Sequence, residues 1–119
     1  MKKKLVILFT AMMTMLVLAA CGSDDDTTGD SGKKVLKVGM EAAYAPFNWS
    51  QNDDSNGAVL IKGSKEYAAG YDVEIAKKIA DGLDMELQVV KTDWDGLIPS
   101  LQSGAIDVVI AGMSPTEER

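Results

Sequence analysis

From Asp72 to Gly112 the apolar residues alternate between helical and strand spacing, and this alternation constrains the fold more than any other feature. Val73, Ala76, Ile79, Ala80 and Leu83 recur at the period of a helix, opposite Glu74, Lys77, Lys78 and Asp81, with Asp72 as N-cap and Gly82 as the stop. Met85 to Val90 reads as a strand. A second helix spans Asp93 to Ser103, facing Leu97, Ile98 and Leu101 inward and stopping at Gly104. Pro99 must kink it or sit in its first full turn. Val108, Val109 and Ile110 suit a strand buried on both faces, and Val35 to Met40 alternates as an earlier one. Strands and helices in this order predict an α/β fold, a parallel sheet with right-handed crossovers.

The segment between the first strand and the first helix is different. Pro46 keeps EAAYAPFNW out of a helix and leaves Tyr44, Phe47 and Trp49 clustered just past the strand. Asn56 and Gly57 predict a hairpin turn ahead of Val59 to Ile61, hence an inserted hairpin. Asn52, Asp54, Asn56 and Gly57 mimic the start of a calcium loop, but the first position is not aspartate and the twelfth is Gly63 rather than glutamate. No metal is expected there.

The opening MKKKLVILFTAMMTMLVLAAC is an export signal: basic at Lys2 to Lys4, apolar from Leu5 to Ala20, small before Cys21. Its apolar run is shorter than the ~20 residues of a membrane span, and no basic flank follows. Residues 22–32 are too polar to bury and read as a flexible tether, so the folded part begins near Lys33. Cleavage before Cys21 removes three of the 12 basic residues and none of the 18 acidic ones, making the formal charge of −6 more negative. Nucleic acid is thereby disfavoured as a partner. With no histidine and one cysteine, histidine-based triads and histidine-ligated metals are excluded within the chain, and no disulfide can form.

The final run DVVIAGMSPTEER passes from the last strand to Ser114, Pro115 and Glu117, a capping-box pattern that predicts a helix start just outside the strand's carboxyl end. Open α/β sheets bind anions at such a place, and Arg119 carries the fork that grips carboxylates. Taken alone, the run is better read as a capping serine and a solvated arginine.

The run Leu18, Ala19, Ala20, Cys21 resembles the bacterial lipobox, in which the cysteine is lipidated and becomes the mature N-terminus. Together with GMEAAYAPFNW, GYDVEIAKKIADGL and KTDWDGLIPSLQSGAIDVVIAGMSPTEER, it resembles the extracytoplasmic solute-binding lipoproteins of polar amino-acid ABC transporters, bacterial solute-binding protein family 3. The resemblance implies a type II periplasmic-binding-protein-like fold whose two lobes close over an amino acid, with residues 33–119 forming part of the first lobe, residues 1–20 the lipoprotein signal and 21–32 the tether. By matching motifs, Arg119 would pair with the ligand α-carboxylate, Ser114 would help through its N–H and hydroxyl, and the Gly112 carbonyl would accept from the α-amino group. Tyr44 and Trp94 would sandwich the ligand side chain, and Glu41 would meet a cationic one, as in lysine or arginine. Ala111 and Gly112 replace hydroxyls found in some relatives.

The implied partners are a free amino acid, an ABC permease with its ATPase, and the membrane through a lipid on Cys21, outside the cell membrane. No cofactor and no catalysis are expected. The alternatives on the same fold are an extracytoplasmic dehydratase, with carboxylates such as Asp93 and Asp95 as acids, and the sensing lobe of a receptor. As a partial lobe, the chain is expected to bind no amino acid measurably without the second lobe.

Overall fold

A computed structural model describes residues 32–119; the signal segment, Cys21 and nearly all of the proposed tether lie outside them. The elements run β1 (Val35–Met40), β2 (Ala43–Tyr44), β3 (Asn48–Gln51), a single 3-10 turn (Ser55–Gly57), β4 (Val59–Leu60), β5 (Tyr67–Ala69), α1 (Tyr71–Gly82), β6 (Glu86–Lys91), α2 (Trp94–Ser103) and β7 (Val108–Val109). Three of these strands form a parallel sheet in the order β6-β1-β7, with Val35 opposite Glu86 and Val38 opposite both Val89 and Val108. β1 is central and therefore the most buried: Leu36, Val38 and Met40 join Val89, Val73, Ala76, Ala80 and Leu97 in the core. α1 packs on β6 and β5, and α2 packs on β1 and β7. The first crossover leaves β1 on one side and the second passes to its other side, so the ends of the strands frame a crevice of the kind that binds ligands in open α/β sheets.

The inserted segment is a second, antiparallel sheet in the order β2-β3-β5-β4. The Asn56–Gly57 signal is realised, since both residues take positive φ of 57° and 71°. It does not, however, make a hairpin. The strands it joins, β3 and β4, are not neighbours, because β5 lies between them. The hairpin is instead β4 and β5, whose turn begins at Ile61, and this insert shields the outer edge of β6: Ile61 bridges Val89 and Lys62 N–H donates to the Val89 carbonyl at 2.9 Å. An edge strand is thus covered rather than left as a template for association.

Several local expectations shift. The N-cap of α1 is Gly70, not Asp72, which sits inside the first turn and is buried. The chain arrives at φ 123°, a conformation that glycine accepts and aspartate does not, and the main-chain donors there are met by carbonyls rather than by a capping side chain. Gly82 is the last helical residue, and the left-handed turn falls on Asp84. Of the predicted apolar face, Val73, Ala76 and Ala80 are buried, while Ile79 and Leu83 are exposed, because the sheet reaches only the narrower stripe. The second strand lies one residue later than its apolar run. Pro99 falls within α2, past the first turn, and Gly104 ends that helix at φ 79°, as its position predicts.

No helix opens at Ser114. Residues 113–116 have no regular structure and Glu117–Glu118 form a turn. A capping signal only marks a start, and from Ser114 the chain is exposed throughout, with no apolar face buried against the sheet to hold a helix.

Candidate functional site

Because all three strands of the main sheet are parallel, the segments that follow them emerge at one edge. Glu41 and Tyr44 follow β1, Trp94 follows β6, and Gly112 and Ser114 follow β7. Glu41 is half-buried and enters no ion pair among the described residues.

One side of this edge is an aromatic platform. The Tyr44 and Phe47 rings stack with centroids 5.1 Å apart and planes inclined by 30°. Both rest on Gly112: a side-chain carbon there would lie 3.1 Å from Tyr44 Cδ1 and 3.3 Å from Phe47 Cγ, and its φ of 60° suits glycine. The absence of a side chain at this position is therefore what lets the rings close over the strand end. A hollow of about 270 Å3 lies beside the platform, lined by Phe47, Tyr71, Asp72, Gly112 and Met113 among others.

The loop carrying the rings is tied to α1 by main-chain bonds, Asp72 N–H to the Phe47 carbonyl at 2.8 Å and Tyr71 N–H to the Pro46 carbonyl at 3.3 Å. Beneath them, Asn48 Nδ2 donates to Asp72 Oδ2 at 2.8 Å, with both residues buried. At the far corner Lys91, at the end of β6, donates to Ser50 Oγ at 3.1 Å and pairs with Glu66 at 3.5 Å, joining the two sheets.

The other side is the terminal arm. Arg119 lies over the Trp94 ring, 5.5 Å from guanidinium carbon to ring centroid, and its Nη1 donates to the Ser114 carbonyl at 3.1 Å. The sequence-predicted residues are thus drawn into two groups, Tyr44 with Gly112 and Trp94 with Ser114 and Arg119. Without a helix at Ser114, the expected helix dipole is not present beside Arg119 and the exposed Ser114. Phe47 and the Asn48–Asp72 pair were not among the predicted site residues. The aromatic cluster around Pro46 signals the first; nothing in the spacing of positions 48 and 72 signals the second.

Residues 36–119 match the sequence model of the bacterial extracellular solute-binding proteins, family 3. The arginine-binding extracellular protein of Bacillus subtilis is 38% identical over 119 residues, covering 100% of this chain and 41% of that protein. Among solved structures, the substrate-binding protein of an amino-acid ABC transporter superposes with a TM-score of 0.58 at 39% identity, over 71% of this chain and 34% of that one. The arginine-bound form of domain 1 from TmArgBP gives 0.57 at 44% identity, over 71% of this chain and 58% of that domain. The chain thus spans about two fifths of the length of that curated relative. The domain 1 structure also bears on the expectation that two lobes are required, since a single domain of that protein is solved with arginine bound.

Proposed function

This chain belongs to family 3 of the bacterial extracellular solute-binding proteins, and on that premise we propose that it captures a cationic amino acid, arginine foremost, and delivers it to an ABC permease and its ATPase. The architecture is that of part of a type II periplasmic-binding-protein lobe. The observation that carries the proposal is the convergence of Glu41, Tyr44, Trp94 and Gly112 at one edge of the parallel sheet, where the Glu41 carboxylate enters no ion pair among the described residues.

In this reading the ligand's aliphatic stem lies along the Tyr44 ring, and its charged end meets the Glu41 carboxylate and aromatic faces. The Gly112 carbonyl accepts from the α-amino group. Arg119 holds the α-carboxylate with N–H groups of its planar fork other than the one given to Ser114, and Trp94 keeps that fork in plane. Exposed Tyr44, at 48%, has the accessibility such a role needs.

The role is binding rather than turnover. The chain has no histidine, and Asp93 and Asp95 sit exposed at the start of α2, Asp93 as its N-cap. Cys21 is lipidated after cleavage of residues 1–20, and residues 21–32 tether the lobe on the outer face of the cell membrane. Calorimetric titration with the twenty amino acids tests the proposal. In place of the absence of binding expected of a partial lobe, and because a single domain of TmArgBP is solved with arginine bound, arginine and lysine are expected to bind while acidic and small neutral amino acids do not. Heat evolved only with acidic ligands, or turnover of a prephenate-like compound, would displace it. Cys21→Ser is expected to release the protein from the membrane fraction.

A further inference from the structure

The most deeply buried polar contact among the described residues lies beneath the aromatic platform, outside the predicted ligand contacts. Asn48 is 0% exposed and Asp72 is 4% exposed, and they meet at 2.8 Å. Asn48 Oδ1 has no hydrogen-bond partner among the described residues. A leucine would fill similar space without leaving a buried carbonyl unsatisfied, so the amide's worth must lie in its other end, the bond to Asp72.

That bond is well placed to control the platform. Asn48 directly follows Phe47, and Asp72 lies in the first turn of α1, where the helix dipole favours a carboxylate. The same two segments are already in the closest approach the backbone allows. A Cβ on Gly70 would collide with the Phe47 carbonyl and lie 3.0 Å from Asn48 Cα. The main-chain bonds from Tyr71 and Asp72, with the pairing of Trp49 to Ala69, fix where the backbone after Phe47 lies. The Asn48–Asp72 bond adds a buried side-chain tie between the loop and α1, and so limits how far the loop can roll against that helix. Because Phe47 stacks on Tyr44 and both rings rest on Gly112, the roll of this loop sets where the Tyr44 ring stands.

We propose that the buried Asn48–Asp72 pair is a positioning element that fixes the Tyr44–Phe47 platform over Gly112 and thereby sets the affinity for the amino acid. The effect on affinity rests on the function proposed above; the effect on the platform does not. The pair touches no ligand in this scheme and acts only through the rings.

The test uses the full chain labelled with 3-fluorotyrosine. Its three tyrosines, Tyr44, Tyr67 and Tyr71, give separable fluorine signals, assigned by single Tyr→Phe variants. Asn48→Ala is expected to shift and broaden the Tyr44 signal and leave Tyr67 in β5 unchanged. Affinity for L-arginine by calorimetry is expected to fall about tenfold, the scale of one buried hydrogen bond to a charged group. Asp72→Asn retains an amide–carbonyl bond and is expected to restore the Tyr44 signal and arginine affinity to within about threefold. An unmoved Tyr44 signal in Asn48→Ala overturns the proposal, whatever happens to affinity. If Asn48→Ala collapses all three signals, Asn48→Ser decides: a change confined to the Tyr44 side supports the proposal, and a second general collapse overturns it by showing that the pair holds the whole fold. Failure of the unsubstituted chain to bind L-arginine would count against the proposed function alone, because the Tyr44 signal is read without ligand.

Discussion

The two sides of the cleft edge are built differently. The platform of Tyr44 and Phe47 is held by main-chain bonds to α1, by a buried amide–carboxylate contact and by ring contacts with Gly112. The terminal arm, Ser114 to Arg119, is exposed throughout and held by one side-chain bond to its own backbone, a turn and a cation–π contact. Local stability follows the density of buried contacts, so the platform is the better-held of the two sides. Under the proposed function, the better-held side is the one that would meet the ligand side chain.

The contrast fails most visibly if the platform can be loosened cheaply. Gly70→Ala places a Cβ against the Phe47 carbonyl at a φ of 123°, and is expected to cost about 2 to 5 kcal/mol in urea denaturation. Ser114→Ala in the arm is expected to change stability by less than about 0.5 kcal/mol in the same experiment. Equal effects would erase the distinction. Next in size, Arg119→Ala is expected to lower arginine affinity about 10- to 100-fold while the denaturation midpoint stays put, with Arg119→Lys recovering only part of the loss. A large loss of stability in Arg119→Ala would mean that the arm is as structural as the platform.

A smaller effect sharpens the comparison at its boundary. Trp94 lies on the arm's side yet is anchored, packed against the core while facing Arg119. Trp94→Leu keeps apolar bulk and removes the π face, and is expected to weaken arginine binding about two- to thirtyfold by titration. The smallest effect belongs to the opposite edge of the sheet, where Lys33 pairs with Asp84 at 2.8 Å. The hydrogen bond from Lys33, and then its charge, hold the Asp84 carboxyl below its ordinary value, and the same contact raises Lys33. The carboxylate's stabilising contribution is therefore complete above the ordinary carboxylate range and lost as pH falls through the lowered value. The lysine's contribution is present below the ordinary lysine value and lost as pH rises through the raised one. Asp84→Asn is expected to flatten the acid limb of a stability-versus-pH profile slightly and leave arginine affinity unchanged, since both side chains are well exposed.

Legibility in the sequence followed the range of the interactions. β1 was readable residue for residue because alternation is local, and α2 because Asp93 and Gly104 punctuate it. The strand pairing of the insert was not, because Asn56–Gly57 specifies a turn but not which strand lies beside which. The helix expected at Ser114 does not form for a related reason: a capping pattern reports how a helix would start, but burial of an apolar face is what holds one, and residues 114–119 are exposed. Glu41, Tyr44, Trp94 and Gly112 came from motif resemblance, and the structure adds that they follow the ends of three parallel strands.

By itself, the sequence determined the parallel α/β class and the order and type of the elements outside the insert and the final run, because periodicity and turn chemistry are properties of neighbouring residues. Tertiary structure alone decided that β5 intervenes between β3 and β4, that Ile61 seals the edge of β6, that Gly70 admits the Phe47 carbonyl, and that Asn48 and Asp72 meet under the rings. Each of these depends on segments far apart in the chain being brought to within a few ångströms, a distance that close packing sets and no local pattern records.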